Sequence, residues 1–215
     1  ALWATAGKTT ITPWVGAPLA PVGLPQAIKT VLPVFHVAYA MRKPQYWVAV
    51  LRHLDLAYKM SIDKARLSRW QKLVLGLGDT ASTRAVVAAL KRIRSRGEAV
   101  GLDIETAGKS PWAPVTAVGI ADSRESVSML ARVFKRPAVF ALVKAILYAQ
   151  ETIAQNGWHD VIGMRESGIR VRRFVWDTLL MHAAQSPFMA HNLGIIAAIE
   201  APGLDRWKSD FKDDD

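Results

Sequence analysis

Asp103 and Glu105 stand two residues apart at the end of the run Val100-Gly101-Leu102-Asp103-Ile104-Glu105-Thr106-Ala107-Gly108. In a β-strand alternate side chains share a face, so both carboxylates point the same way. Side by side they repel unless a proton or a cation sits between them. Hard divalent cations such as Mg²⁺ take carboxylate oxygens, usually one or two per ion. The pair therefore reads as half of a metal site, and a solvated strand end is the competing reading. A third acid, Asp160, closes the stretch Thr152-Ile153-Ala154-Gln155-Asn156-Gly157-Trp158-His159-Asp160. A short β-prone run leads there into Asn156 and Gly157, and a helical pattern starts near His159. Asp160 falls in the first helical turn, where the helix dipole favours an ionised carboxylate. Helix-start duty alone is the other reading of Asp160.

The elements that must position these acids follow from periodicity. Residues 84–96 read as a helix with Val86, Val87, Leu90 and Ile93 on one face and Ser82 or Thr83 as its cap. Residues 100–106, 115–121 and 126–130 read as strands, 138–150 as a helix and 152–155 as a strand. A helix over 161–166 closed by Gly168, an extended segment over 169–175, and a helix over 178–184 capped by Asp177 complete the pattern. Three strands followed by alternation with helices make the class α/β with a mixed sheet. Upstream, Leu67, Trp70, Leu73, Val74 and Leu77 predict a short helix that breaks at Gly76 and Gly78. Lys91, Arg92, Arg94 and Arg96 crowd the end of the 84–96 helix, which suits either its dipole or a DNA backbone. Trp158 and Trp176 read as core anchors in preference to base-stacking platforms. Arg170, Arg172 and Arg173 read as a solvated face.

The order Leu-Asp-Ile-Glu-Thr at 102–106, Gln-Asn-x-x-x-Asp at 155–160, Trp-Asp-Thr-Leu-Leu at 176–180 and His-Asn-Leu at 191–193 resembles a known family. It is similar to the 3′–5′ exonuclease domain of family A DNA polymerases, one of the ribonuclease H-like exonucleases with four acidic metal ligands. The resemblance covers about residues 82–212. It implies that Asp103, Glu105 and Asp160 are three of the four ligands, with Thr106 and Asn156 at the substrate. It implies two Mg²⁺ or Mn²⁺ ions and the single-stranded 3′ end of DNA as substrate. Asp103 would bridge the ions, Glu105 would hold the one beside the nucleophile and Asp160 the other. The family's fourth ligand belongs to a Tyr-x-x-x-Asp motif on a later helix, and no tyrosine follows Tyr148 here. The chain is therefore expected to stop before that motif, with a polymerase domain following in the same gene, and to cut slowly on its own. Asp213, Asp214 and Asp215 are like charges expected to stay solvated. A ribonuclease D-like exonuclease acting on RNA shares these motifs and is the rival enzyme. A non-catalytic nucleic-acid-binding module is the rival of another class.

Residues 1–60 carry a second resemblance, through Ala1-Leu2, Gly7-Lys8, Ile11, Trp14-Val15-Gly16, the apolar run 31–39 and Arg42-Lys43-Pro44. These are similar to the C-terminal part of uracil-DNA glycosylases of the bacterial and archaeal branches that carry an iron–sulfur cluster. The resemblance places His36 beside the flipped uracil. The family has proline at the next position, where this chain has Val37. The family's cluster ligands and water-activating residues would lie before Ala1. A histidine at a strand end can donate to an oxyanion that develops as a glycosidic bond breaks. A loop histidine satisfied by backbone is the other reading.

Composition bounds these readings. Of 215 residues 51% are hydrophobic and 21% charged, which suits a globular chain rather than a disordered one. Cysteine is absent, so neither disulfides nor thiolate-held metals arise within these residues. No apolar run reaches the ~18 residues of a membrane span, and no secretory leader is visible. A cytoplasmic location is expected, and the start at Ala1 suggests a piece of a longer protein. The net charge of +10 is uneven: residues 1–60 contribute +5, 61–97 contribute +7 and 98–215 contribute −2. The expected plan is a glycosylase-like tail over 1–60, a connector over 61–81 and a ribonuclease H-like exonuclease domain over 82–215.

Overall fold

The computed structural model describes residues 30–63 and 72–189, with residues 15, 23–25, 27, 28, 191, 193, 196 and 197 besides. Gly7, Gly16, Leu67, Trp70 and the C-terminal run 206–215 lie outside the described residues, as does most of the glycosylase-like stretch before residue 30. The chain divides into two compact units, Trp70–Met181 and Ala1–Arg69 with His182–Asp215.

In the described part of the second of these, α1 (Val37–Arg42) leads through a single 3-10 turn (Pro44–Tyr46) to α2 (Trp47–Asp63). Phe35, Tyr39 and Tyr46 cluster with ring centroids 4.7–5.7 Å apart. His36 is the N-cap of α1 rather than the end of a strand, because its Nδ1 accepts the Ala38 N–H at 3.1 Å. Of the apolar run before it, Val31 alone makes a β-bridge.

The unit Trp70–Met181 contains Asp103, Glu105 and Asp160. Its elements are β1 (Lys72–Gly76), α3 (Thr80–Arg96), β2 (Val100–Thr106), β3 (Val115–Ala121), β4 (Glu125–Leu130), α4 (Ala131–Phe134), α5 (Pro137–Ala149), β5 (Thr152–Ala154), α6 (Trp158–Glu166), β6 (Phe174–Asp177) and the start of α7 (Thr178–Gln185). The six strands form one mixed sheet in the order β1-β4-β3-β2-β5-β6. β2, β3 and β4 form an antiparallel meander, while β1 joins β4, and β5 and β6 join beyond β2, all in parallel. This is the mixed α/β sheet expected from the order of elements, with one more strand at its edge.

That strand, β1, corrects the short helix read over the connector. Leu73 and Leu75 point outward while Val74 and Gly76 face the core, a period of two that only a strand satisfies. Gly76 is required there, since a Cβ would lie 2.8 Å from the Met129 side chain. The helix after it starts earlier than expected, and its cap is Asp79, whose side chain accepts the Ser82 N–H at 2.8 Å. Gly97, at φ 68°, ends α3 in the left-handed conformation that glycine adopts without strain.

The core lies on one face of the sheet. Leu102, Ile104, Val118, Ile120, Val127 and Met129 meet Val86, Leu90 and Ile93 of α3, Val143, Ile146 and Leu147 of α5, and Met164 of α6. Each such side chain stabilises the fold by about 1.5–3 kcal/mol on burial. The alternate residues Gly101, Asp103, Glu105, Ala117, Gly119 and Ala121 face the other way and are half-buried or exposed. The basic cluster at the end of α3 is partly structural. Arg92 takes Glu125 in a bidentate pair at 2.8 and 3.0 Å, and Arg96 reaches Asp122 at 2.5 Å and Glu125 at 2.8 Å. Hydrogen bonds from these arginines hold the Asp122 and Glu125 carboxyls below their ordinary range despite burial. Arg172 lies over the Tyr148 ring and Arg173 pairs with Glu151, both in exposed settings as a solvated face requires.

Candidate active site

The site sits at the C-terminal end of β2. β2 and β5 pair only at Val100–Thr152 and Gly101–Ile153 and then separate. The chain leaves β2 toward β3 on one side and returns to β5 on the other, so this gap is the switch point where ligands enter sheets of this type. Beyond Gly101 the β2 backbone needs another partner, and α6 supplies it. Asp160 Oδ1 accepts the Ile104 N–H at 2.8 Å, inside the protein. Gly163 lets α6 approach closely, since a Cβ there would overlap Ile104 Cδ1. Asp160 thus occupies the first turn of α6, as the pattern predicted, and is only 4% exposed.

Asp103 and Glu105 emerge from the opposite, open face of β2, both exposed. Their registers with Gly119 and Ala117 put small residues beside them on β3. A β-bulge falls between Glu105 and Thr106, and Thr116 Oγ1 donates to the Glu105 carbonyl at 3.0 Å. Bulges re-aim side chains at strand ends, and this one turns Thr106 toward α6. There Thr106 Oγ1 lies 2.5 Å from the Gly108 carbonyl and 3.3 Å from His159 Nε2.

The electrostatics are set by this packing. Burial pushes the Asp160 carboxyl up to about 7, against the lowering effect of the Ile104 N–H, and the charges of Asp103 and Asp177 push the same way. Asp160 thus lies in the field of Asp103 and Asp177, which a cation would relieve. Among the described residues no three His, Asp or Glu side chains are gathered closely enough to hold one ion. The donor chemistry nevertheless fits Mg²⁺ or Mn²⁺, which bind through one or two carboxylates and complete their shells with water and substrate oxygens.

Asn156 is exposed at φ 53°, a left-handed turn position that asparagine tolerates. His36 belongs to the other unit. Sequence reasoning assigned Asp177 only to capping, and the structure gives it a wider role. Its Oδ1 accepts from Leu179 N at 2.9 Å and Asn156 N at 3.0 Å, while Oδ2 accepts from Gly157 N at 2.9 Å. One carboxylate therefore starts α7 and fixes the turn that launches α6. The capping signature at 177–178 was visible, but the second task depends on β5 and β6 being neighbours. Trp158 and Trp176 are 70% and 52% exposed, so neither is a core anchor. His159 was not singled out at all; only its adjacency to Asp160 marked it.

No family model and no curated protein matches the chain. Among solved structures it is similar to the catalytic core of RRP6 from Trypanosoma brucei, at 19% identity and a TM-score of 0.42, over 59% of this chain and 34% of that one. It is also similar to Escherichia coli RNase D, an exoribonuclease involved in structured RNA processing, at 12% identity and a TM-score of 0.48, over 66% and 36%. A third similar structure is the EXD2 exonuclease domain soaked in Mg and GMP, at 15% identity and a TM-score of 0.40, over 53% and 58%. The chain spans about a third of the length of the first two. No helix among the described residues is long and apolar enough to cross a membrane.

Proposed function

We propose that the unit Trp70–Met181 is the metal-dependent part of a 3′–5′ exonuclease that hydrolyses the terminal phosphodiester bond of a single-stranded nucleic acid, DNA in the first instance. One observation carries the reading. Two exposed carboxylates share a face at the end of β2, and a third is bound to the β2 backbone where the sheet opens. Asp103, Glu105 and the second oxygen of Asp160 are the groups that would hold divalent ions. Bound there, such ions supply an activated water and stabilise the charge on a leaving oxygen. Ile104 orients Asp160, and the bulge after Glu105 sets where that side chain points. The choice of DNA rests on the glycosylase-like residues earlier in the chain, within which His36 is assigned to uracil recognition.

The test is single-turnover cleavage of 5′-labelled DNA and RNA oligonucleotides by the 215-residue chain, with Mg²⁺, Mn²⁺ or EDTA. The expected result is a metal-dependent ladder shortening from the 3′ end, faster on DNA, and lost in Asp103→Ala. Binding without metal should survive that substitution, because ligands to the ion set the rate while affinity comes from phosphate contacts. A wild-type rate no greater than that of Asp103→Ala in both metals would overturn the proposal. Faster cleavage of RNA would replace DNA by RNA as the substrate.

A further inference from the structure

Two cross-links join β2 to α6, and the acids lie beside them. Asp160 accepts the Ile104 N–H, and His159, the preceding residue, meets the side chain of Thr106, the residue after Glu105. The hydroxyl chemistry fixes the direction of the second link. Thr106 Oγ1 has one proton, and the Gly108 carbonyl at 2.5 Å takes it. Toward His159 the hydroxyl can then only accept, so Nε2 of the imidazole is the donor. The ring is half-buried against a loop whose base is closed by Ala107 N–H to the Pro114 carbonyl at 2.9 Å. Gly163, one turn after His159 on the same side of α6, lies where a Cβ would be 3.5 Å from the Pro111 carbonyl of that loop.

We infer that His159 is a positioning residue for the acid site, acting through Thr106 to hold the bulged end of β2, and with it Glu105, in fixed relation to Asp160. This rests on the exonuclease reading and adds a residue that the four-acid pattern does not contain. The bulge makes such a device necessary. Thr106 is paired out of register, with Thr116 left over opposite the Glu105–Thr106 step, so the sheet ladder alone does not fix the direction of Glu105. Joined to β2 by the Asp160–Ile104 hydrogen bond alone, α6 could turn about that point, whereas two bonds, at residues 104 and 106, fix its direction against β2. Outer partners of this kind alter metal affinity or activity by ~10–100-fold when removed.

The experiment compares wild type with His159→Ala, His159→Gln, Thr106→Val and the double variant His159→Ala/Thr106→Val. Three measurements are made: ¹⁵N chemical shifts of the imidazole, Mn²⁺ affinity by electron paramagnetic resonance, and single-turnover cleavage against metal concentration. Wild type should show a protonated, hydrogen-bonded Nε2, and Thr106→Val should lose that signature. His159→Ala and Thr106→Val should each weaken Mn²⁺ binding and raise the half-activating metal concentration ~10–100-fold. Oligonucleotide affinity without metal should stay unchanged in His159→Ala. The double variant should be no worse than either single one, because both break the same link. Gln, which keeps an N–H donor at similar reach, should recover most of the loss. Unchanged metal affinity, additive losses, or losses that track the melting temperature without rescue by Gln would each overturn the inference while leaving the exonuclease reading intact. A wild-type chain that cuts no substrate in any metal would overturn both.

Discussion

Replacing Asp160 by Asn separates the electrostatic cost of the site from its geometry. Asn keeps a carbonyl oxygen for the Ile104 N–H at 2.8 Å and removes the charge. In the folded chain the Asp160 carboxyl titrates at about 7, through burial first and the neighbouring Asp103 and Asp177 charges besides. In the unfolded chain it titrates near ~3.9. Below the lower value both states are protonated and the residue contributes no pH dependence. Between the two the folded state holds the extra proton, so stability falls as pH rises, by up to ~1.4 kcal/mol per unit. Above the upper value the loss is constant, on the order of 3–4 kcal/mol as an upper estimate. Asp160→Asn should therefore match wild type near pH 4 and exceed it by a few kcal/mol at pH 8 in EDTA.

The assay is urea unfolding of both proteins from pH 4 to 8.5. Taking the difference between them cancels the opposite slope from Asp122 and Glu125, whose lowered carboxyls lose stability as pH falls through their folded range. Adding Mg²⁺ at pH 8 should stabilise wild type and leave the variant nearly unmoved, because the ion relieves a repulsion that the variant lacks. A difference curve flat in pH, or a variant less stable at every pH, would refute the argument.

Three further outcomes are expected from the same structure. Asp177→Ala should cost about 1–3 kcal/mol, since it strips the α7 cap and leaves the Asn156 and Gly157 N–H groups without their acceptor; the melting temperature checks this. Arg96→Met should cost about 3–5 kcal/mol at pH 7 by leaving Asp122 and Glu125 buried with less compensation, and the cost should shrink as pH drops and they protonate; denaturant midpoints at pH 7 and pH 3.5 test it. His36→Ala should lower uracil release from uracil-containing DNA and spare 3′ trimming, because the ring accepts at Nδ1 from Ala38 and so presents its N–H at Nε2; equal loss of both activities together with melting temperature would make His36 merely a helix cap.

Much of the sheet was legible. The period of two over Val100–Thr106 put Asp103 and Glu105 on one face, where they stand, and residues 115–121 form the expected strand. Asp160 was placed correctly because Asn156-Gly157 is a strong turn signal and the residues after it have a helical pattern. β1 was misread because a short apolar run broken by two glycines suits either period until its partner is known, and that partner, β4, comes after a helix and two strands. The basic run at 91–96 was ambiguous for the same reason: Asp122 and Glu125, which claim Arg92 and Arg96, belong to a distant turn. The tryptophans were misassigned because composition says that large aromatics are usually buried and cannot say which are not.

The place of β1 in the sheet bears on the order in which the fold assembles. β2, β3 and β4 are neighbours both in sequence and in space, so short loops close them at low entropic cost. β1 comes first in this unit but can dock only after β4 exists, and its pairing is parallel, with α3 and two strands lying between the partners. Such non-local pairings form late and slowly. While it waits, the Val74 side of β1 stays out of the core and the outer edge of β4 carries unsatisfied backbone groups, the condition under which strands pair with the wrong chain. The refolding rate of this unit should thus be set by its edge, while the strand that bears the acids is among the first parts in place.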